Sequence, residues 1–471
     1  MCYMALSGAI LGVILLSVAG QVAGSQGEGT WLPPKKTSCD LHPAIEARIA
    51  EDMKFFDEQG GISEEAATSV CQYCDIENWK EGGEEENCNK PQRYLIQNGT
   101  VYVTNLLPTD KTGSFEFLGL LVELYETSQV YSLPDVELTW WHGDNAPSYT
   151  VVKDGKSAWP YGSGTPAVVS WSKWKENAVL VVPYSGAFRC PDDSFDALEA
   201  QITGIAGIPW EERKQIAFGR WNAFCTHYIS WQKTEDGQVM KCPRTHVSNL
   251  SFARPDLLDA HDLAHGHPVP LHKQNAFRYI VSTDGWSISS KFDKYLLMGS
   301  TILRAESTRF GFYYDAIKPY VQFVPFMLKH SDDLIEAVEW LQAHDAEARR
   351  IAEEARRFAL HHLSRQARLC YLFRLITELS KRVRYKPDCK RRQMCVPLVQ
   401  EVKFLASHGR SAKACRYSDV LIKYGDVDPD GQGAAAEKWS MEELRRLHAS
   451  GRAWPRDDRF VKELGRLSRR R

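Results

Sequence analysis

Apolar residues recur along this chain with two periods, one typical of helices and one of strands. Apolar residues three or four positions apart, the helical spacing, occur in residues 44–57, 115–126 and 332–363. Short apolar runs bounded by turn residues, which predict strands, occur in residues 94–104, 136–141, 166–172 and 178–186. The stretch "PWEERKQIAF", residues 209–218, is predicted as a helix that leads toward a strand. This alternation predicts an α/β fold with mostly parallel sheets.

Length and charge narrow the class of protein. With 471 residues, the chain is long enough for two or three domains. The net charge is −2 at pH 7, so no overall positive field favours nucleic acid as a partner. These values indicate a globular protein that acts on something other than nucleic acid.

The N-terminus carries a candidate targeting segment. Residues 5–23 are almost wholly apolar, and no charged residue precedes Glu28. The run is long for the core of a signal peptide and just long enough for a membrane span. Residues 1–24 are therefore either a cleaved signal peptide or a single N-terminal membrane anchor.

Cysteines and sequons agree with passage through the secretory lumen. Twelve cysteines are present. Behind a targeting segment, clustered cysteines predict disulfides, and the clusters are Cys39, Cys71, Cys74 and Cys88 early and Cys370, Cys389, Cys395 and Cys415 late. Glycosylation sequons begin at Asn98 and Asn249. We therefore expect localisation in the endoplasmic reticulum or Golgi lumen.

A serine-rich loop is the strongest candidate binding element. "RYIVSTDGWSISSKFDKYLLMGSTIL", residues 278–303, predicts a strand, an Asp-Gly turn, a loop, a short helix and another strand. Ser290 and Asp293 have the spacing of a capping box, which predicts a helix start near Lys291. A loop between a strand and a helix start offers backbone N–H groups to an anion. From the residues alone, an ordinary capped helix with a surface lysine is the favoured interpretation.

The same stretch carries a family resemblance. Together with "IKPYVQFVPF" and "DDLIEAVEWL" downstream, and with "NGTVYVT", "LPDVELTWWHGDNAP", "PAVVSWSK" and "ERKQIAFGR" upstream in that order, it resembles the protein O-glucosyltransferase (Rumi-like) family. This is glycosyltransferase family 90, which also includes capsule-associated and lipopolysaccharide-modifying enzymes. The resemblance covers residues 94–363. It implies a GT-B fold of two Rossmann-like domains facing across a cleft, and transfer of a sugar from a UDP-sugar with inversion.

The resemblance implies that the serine loop, residues 286–291, binds the diphosphate and sugar of the donor. Lys291 stands where the family usually has arginine, so the charge is kept but the bidentate fork is lost. Arg220, in "FGRWN", is the candidate for a second donor cation. The full set of expected donor-binding residues is Arg220, Asp284, Gly285, Trp286, Ser287, Ser289, Ser290 and Lys291.

Asp144 is the expected catalytic base. It follows a predicted strand in "LTWWHGDNAP", and the family's base lies in a similar strand–Asp–Pro context. From the residues alone, a cap for the turn before Pro147 is the favoured role of Asp144, and the resemblance shifts the balance to the base. Two interpretations are open for His142: it hydrogen-bonds Asp144, or it simply lines the turn.

The chain divides into six predicted parts. These are 1–24, the targeting segment; 25–90, a helical segment with cysteines; 91–205, a Rossmann-like domain on the acceptor side; 206–365, a Rossmann-like domain on the donor side; 366–415, helices and cysteines; and 416–471, a tail.

Metal chemistry is predicted only in the tail. "DVDPDGQGAAAE" fits an EF-hand calcium loop, with candidate ligands Asp426, Asp428, Asp430 and Glu437, and an acidic glycine-rich linker is the alternative. The core has no convincing Asp-x-Asp motif, so we expect transfer without a metal cofactor. His261, His265 and His267 are interpreted as a polar surface loop.

These features predict an inverting glycosyltransferase. It would move glucose or xylose from a UDP-sugar to a protein serine or a glycan hydroxyl. The alternative is an inactive glycan- or calcium-binding protein that keeps the fold.

Overall fold

The computed structural model describes residues 33–69, 91–104, 115–141, 149–151, 157–159, 164–175, 177–184, 195–205, 207–223, 233–392, 395–407, 417–428 and 430. The helices are α1 (Pro43–Glu58), α2 (Glu64–Ser69), α3 (Phe115–Val130), α4 (Phe195–Ile205), α5 (Pro243–Ala253), α6 (Phe292–Tyr295), α7 (Asp333–Ala343), α8 (Asp345–His362), α9 (Arg365–Ser380), α10 (Leu398–Ser407) and α11 (Tyr417–Lys423). The strands are β1 (Pro91–Gln97), β2 (Thr100–Val103), β3 (Val136–Trp141), β4 (Thr150–Val151), β5 (Ser157–Ala158), β6 (Val168–Ser170), β7 (Lys173–Trp174), β8 (Leu180–Val181), β9 (Lys214–Trp221), β10 (Leu258–Asp262), β11 (Phe277–Ser282), β12 (Thr301–Ala305), β13 (Arg309–Phe310), β14 (Val324–Phe326) and β15 (Val396–Pro397).

The first sheet is mixed, with strand order β15-β2-β1-β3-β6-β8. β1 and β2 form a hairpin whose turn residues, Asn98 and Gly99, have φ of 50° and 72°. An Asn-Gly pair suits this turn because both positions need a left-handed backbone. β3, β6 and β8 run parallel, whereas β15 adds antiparallel to β2. The chain therefore returns to the first sheet after it has built the second.

The second sheet is wholly parallel, with strand order β10-β9-β11-β12-β14. Alternate residues of each strand point to opposite faces, so Ile280 packs in one apolar cluster while Tyr279 and Val281 pack in the other. Residues of α5, α7 and α8 cover the sheet face to which Tyr279 points, and residues of α6 cover the sheet face to which Ile280 points. Burial on both faces accounts for the consecutive apolar residues 279–281 in the middle of β11.

Most sequence-predicted elements are confirmed, and one is wrong. Residues 209–218 do not form a helix: a single 3₁₀ turn, Trp210–Glu212, is followed by β9. β9 pairs with β10 on one side and β11 on the other, and it buries Ala217 and Phe218. This pairing and burial outweigh the local helix propensity of the Glu, Lys and Gln residues. The α/β class is confirmed, whereas the two facing GT-B domains and the six boundaries stay predictions.

The cysteine prediction is confirmed where the structure describes both partners. Cys39 pairs with Cys370, which ties the segment before α1 to α9, and Cys389 pairs with Cys395. The pairs expected for Cys71, Cys74, Cys88 and Cys415 lie outside the described residues, as does the targeting segment. Among the described residues, no helix is long and apolar enough to cross a membrane.

A buried charge network joins the parts of the fold. The Lys173 ammonium, on β7, donates to Asp52 of α1 at 2.8 Å, and Arg48 donates to Asp315 at 2.7 Å. β7 also pairs with β13, which lies between β12 and β14 of the second sheet in sequence. The Lys173 side chain is fully buried. Burial raises the pKa of Asp52 and lowers the pKa of Lys173, and each opposite charge opposes that shift. The buried Lys173 ammonium therefore depends on Asp52 to stay charged, and Asp52 depends on Lys173 and on Arg48, whose guanidinium lies 3.4 Å from the Asp52 carboxylate.

We expect Asp52→Asn to destabilise the protein strongly, because it leaves the Lys173 ammonium buried without its counter-charge. Breaking a buried ion pair from one side typically costs about 3–5 kcal/mol. The measurement is the free energy of unfolding from urea denaturation at pH 7.

Glu51→Gln is the matched control for this prediction. Glu51 neighbours Asp52 on α1, but its ion pair with Lys54 is exposed. The control should leave the denaturation midpoint unchanged. Equal midpoints for the two variants would contradict a structural role for the buried pair.

Candidate functional site

The strand order of the second sheet opens a crevice between β9 and β11. The connection that leaves β9 includes α5, on one face of the sheet, and the connection that leaves β11 includes α6, on the other face. The two chains diverge at the carboxyl ends of neighbouring parallel strands, which is where ligands bind in open α/β sheets. An open cavity of about 360 Å³ lies there.

Three segments of the second sheet line this cavity. They are residues 220–222 at the end of β9, Arg244 in the first turn of α5, and loop residues between Thr283 and Lys291. Tyr184 lines the cavity as well, and its ring stacks on that of Trp171. These two residues lie just beyond β8 and β6 of the first sheet. The cavity is therefore bounded by groups from both sheets.

The serine loop is held from within and from outside. The Asp284 carboxylate accepts a hydrogen bond from the Ser289 N–H at 2.8 Å, and the Gly285 N–H donates to the Ser287 carbonyl at 3.0 Å. The Trp171 indole donates to the Ser287 hydroxyl at 3.2 Å. These contacts fix the loop backbone before any ligand arrives, which reduces the ordering cost of binding.

The predicted capping box does not form. Among the described residues, no side-chain hydrogen bond caps α6, and its N-cap residue is Lys291. Asp293 is buried and accepts a hydrogen bond from the Tyr313 hydroxyl at 2.5 Å. Burial raises the pKa of Asp293 to about 6, against the opposing effect of the hydrogen bond from Tyr313. Asp293 therefore supports the loop from the core and does not cap the helix.

Lys291 brings a positive charge into the cavity wall. Its ammonium donates to the Arg220 carbonyl at 2.7 Å. Burial, together with the nearby charges of Arg244 and Lys294, lowers the pKa of Lys291 to about 8. An anion in the cavity would favour the charged form of this lysine.

Arg244 is the cation that the sequence analysis missed. Its guanidinium donates to the Asn222 carbonyl at 2.9 Å and to the Thr283 carbonyl at 3.3 Å, so it bridges the ends of β9 and β11. A Cβ at position 285 would lie 2.9 Å from its Nη2 atom, so glycine lets the guanidinium lie against the loop. Pro243, in the first helical position, is the sequence signal that could have located this helix start.

Arg220 lies at the cavity, but its guanidinium is engaged by the protein. It forms an ion pair with Asp259 at 2.6 Å and donates to the Gly219 and Asp259 carbonyls, each at 2.8 Å. It also donates to the His267 carbonyl at 3.2 Å. Its carbonyl, which accepts from Lys291, is the group of Arg220 that positions the Lys291 ammonium at the cavity.

The other predicted site residues have three outcomes: six line the cavity, one supports the loop, and one lies outside the described residues. Six of the predicted loop residues line the cavity: Gly285, Trp286, Ser287, Ser289, Ser290 and Lys291. Asp284 is buried and supports the loop through its hydrogen bond to Ser289. Asp144 lies outside the described residues; β3 ends three residues before it, at Trp141.

The predicted calcium site is not supported. Asp426 accepts a hydrogen bond from the Tyr125 hydroxyl, and Glu437 lies outside the described residues. In the part of the chain that the structure describes, no group of three or more His, Cys, Asp or Glu residues could hold a metal ion. His265 contacts Asp262 at 2.8 Å and is half exposed, as expected for a polar surface loop, whereas His261 lies in β10 and is mostly buried.

Comparison with known proteins identifies the family. The profile of glycosyl transferase family 90 matches residues 42–426, which is most of the chain. The chain belongs to glycosyl transferase family 90. Similar proteins include protein O-glucosyltransferase 3 of Homo sapiens, 24% identical over 325 residues, which is 64% of this chain and 57% of that protein.

Two further relatives agree. Protein O-glucosyltransferase 2 of Danio rerio is 27% identical over 319 residues, which is 63% of this chain and 57% of the relative. Protein O-glucosyltransferase 1 of Bos taurus is 26% identical over 238 residues, which is 45% of this chain and 60% of the relative. The matches thus span less than two thirds of these relatives' own length.

We expect Asp293→Asn to remove a pH-dependent loss of stability. The folded pKa of Asp293, about 6, lies above the ordinary aspartate pKa of 3.8, so between these values the unfolded state has largely released the proton and the folded state has not. Wild-type stability therefore falls as pH rises from about 4 to about 6, by up to about 3 kcal/mol from this group. The Asp293→Asn variant should not show this fall in stability. Urea denaturation at pH values of about 4, 5 and 6.5 measures the difference.

Glu65→Gln, which removes an exposed carboxylate on α2, is the control. Its stability should follow the wild-type curve. If the Asp293→Asn curve also parallels the wild type, the buried carboxylic acid has no such effect on folding.

Proposed function

We propose that this chain transfers glucose or xylose from a UDP-sugar to a hydroxyl group, with inversion at the anomeric carbon. The observation that carries the proposal is the cavity at the carboxyl ends of β9 and β11, where Lys291 and Arg244 converge on a rigid serine loop. A diphosphate is the part of the donor that such a site suits, because it carries the negative charge that two cations and loop N–H groups attract.

The remaining groups of the donor have candidate partners in the same cavity. Trp286 and Leu263 line it and are 43% and 42% exposed, so they offer apolar surface to the uracil or the sugar ring. Ser287, Ser289 and Ser290 offer hydroxyl groups. As UDP leaves, negative charge grows on its terminal phosphate. Lys291 and Arg244 would stabilise this charge.

Asp144 is the proposed base. Its carboxylate would accept the proton of the acceptor hydroxyl while that oxygen forms the bond to the anomeric carbon and the bond to UDP breaks. The support is its position three residues beyond the end of β3, together with the family resemblance around it.

The proposed acceptor is a protein serine or a glycan, and the proposed compartment is the endoplasmic reticulum or Golgi lumen. The relatives are named protein O-glucosyltransferases, which favours a protein acceptor. The Cys39–Cys370 disulfide favours an oxidising compartment.

We expect UDP affinity to depend on the protonation of Lys291. Because the pKa of Lys291 is lowered to about 8, its ammonium is charged at about pH 7 and loses its proton as pH rises further. Affinity for UDP should therefore fall above about pH 8, approaching tenfold per pH unit. Calorimetric titration with UDP at pH values of about 7, 8 and 9, at constant ionic strength, measures the fall.

Lys291→Arg is the matched variant, because a guanidinium stays charged over this range. Its affinity should stay nearly constant with pH. Lys291→Ala should bind UDP roughly tenfold or more weakly at about pH 7, since a charge-assisted hydrogen bond contributes about 1.5–3 kcal/mol. Unchanged UDP binding by Lys291→Ala would show that the loop is not the phosphate site.

We expect Asp144→Asn to lower the transfer rate by about 10²–10⁴-fold while UDP affinity and the melting temperature stay near wild type, because a base contacts the acceptor and not the nucleotide. Transfer is measured as UDP release with UDP-glucose and UDP-xylose in the presence of an acceptor.

Asp135→Asn is the control at the opposite end of the same strand, where Asp135 accepts a hydrogen bond from the Asn98 N–H. This control should keep wild-type transfer. Near-normal transfer by Asp144→Asn would exclude Asp144 as the base. A wild-type protein that binds UDP but transfers neither sugar would instead indicate an inactive binding protein.

A further inference from the structure

A second cavity, of about 400 Å³, lies away from the donor cavity, beside the edge strand of the parallel sheet. β14 forms one wall, through Val324 and Pro325, and α7 forms the other, through Ala337 and Trp340. None of its lining residues belongs to the donor cavity. Its volume is within the range of small-molecule binding sites.

Tyr320 lines this cavity with a backbone conformation that tyrosine rarely adopts. Its φ is 60°, and its side chain is 49% exposed. A left-handed backbone costs free energy for a residue with a Cβ, and such outliers cluster at binding sites. The conformation is held on both sides, because the Tyr320 N–H donates to the Phe323 carbonyl at 2.6 Å and Arg350 donates to the Tyr320 carbonyl at 2.8 Å. The fold thus presents an exposed aromatic ring at the expense of local strain.

Trp340 and Tyr320 together form an aromatic corner of the cavity. Its ring centroid lies 5.9 Å from that of Tyr320, with the ring planes 79° apart. The ring of His344 stacks behind Trp340 at 4.8 Å. The corner therefore offers two nearly perpendicular aromatic faces, at least one of which is supported from behind.

The rim of the cavity is polar and has no dominant sign of charge. Lys329 and Glu336 both line it, and the Glu336 carboxylate contacts His330 at 2.9 Å. The third charged residue, Asp333, is buried and accepts hydrogen bonds from the N–H groups of Leu328 and Lys329 at 3.0 and 2.9 Å. A strongly charged ligand gains little from such a rim. A neutral ring with an apolar face and polar edges matches it.

We propose that this cavity binds a pyranose ring of a glycan. The C–H face of the sugar packs against the aromatic corner, and its hydroxyl groups reach Glu336 and Lys329. The site is separate from the donor cavity, so it does not depend on the proposed transfer reaction.

The test uses the full chain with maltotriose, xylobiose and chitobiose as probes. Saturation-transfer NMR is recorded in excess UDP, so that signals from the donor cavity are suppressed if UDP binds there. At least one sugar should give a signal in the wild type, and Trp340→Ala should weaken its binding at least tenfold. Phe252→Ala removes an exposed aromatic residue outside the cavity and should leave binding unchanged.

Tyr320→Asn separates binding from folding. Asparagine tolerates a left-handed backbone, so this variant should lose sugar binding at least tenfold while its urea midpoint is equal to or higher than that of the wild type. A lower midpoint would show that the tyrosine ring serves packing and would overturn the proposal. So would the absence of a signal with all three sugars, or unchanged sugar binding by Trp340→Ala.

Discussion

The candidate donor site depends on one topological constraint: β9 and β11 are neighbours in the parallel sheet although β10 lies between them in sequence. After β9 the chain leaves toward one face, and after β11 it leaves toward the other, so the described residues leave an open cavity at the sheet edge between them. Arg244 enters this crevice from the start of α5, and Lys291 enters it from the start of α6. Neither cation would meet the other if the three strands followed one another in order.

Electrostatics inside the crevice favour an anion before one binds. Burial and the neighbouring cations lower the pKa of Lys291, so its ammonium is held where charge is unfavourable. A bound anion would reverse part of that cost, because an opposite charge nearby stabilises the ammonium. The loop around it needs little rearrangement, since Asp284 and Trp171 already hold it. The site thus combines a fixed backbone with a charge that a ligand would stabilise.

The two sheets are connected by more than the covalent chain. β7 pairs with β13, the Lys173–Asp52 ion pair links β7 to α1, and the Cys39–Cys370 disulfide links the segment before α1 to α9. β15 then returns to the first sheet from beyond α9. These links join the parts of the chain that place Tyr184 at the cavity and Trp171 against Ser287, so the shape of the site depends on contacts between distant parts of the sequence.

The sequence by itself determined the elements whose signals are local. The Asn98–Gly99 turn, the apolar run of β3 and the helical spacing of α7 each specify their own backbone, and the serine loop was recognisable from its strand, turn and glycine. Tertiary structure decided the rest. β9 is a strand because two neighbours pair with it, against the propensity of its residues, and Arg220 is engaged by Asp259, 39 residues away in sequence. The role of Arg244 depends on carbonyl groups from β9 and from the loop after β11. Pairing and ion contacts of this kind depend on which strands become neighbours, and no local pattern of residues encodes that choice.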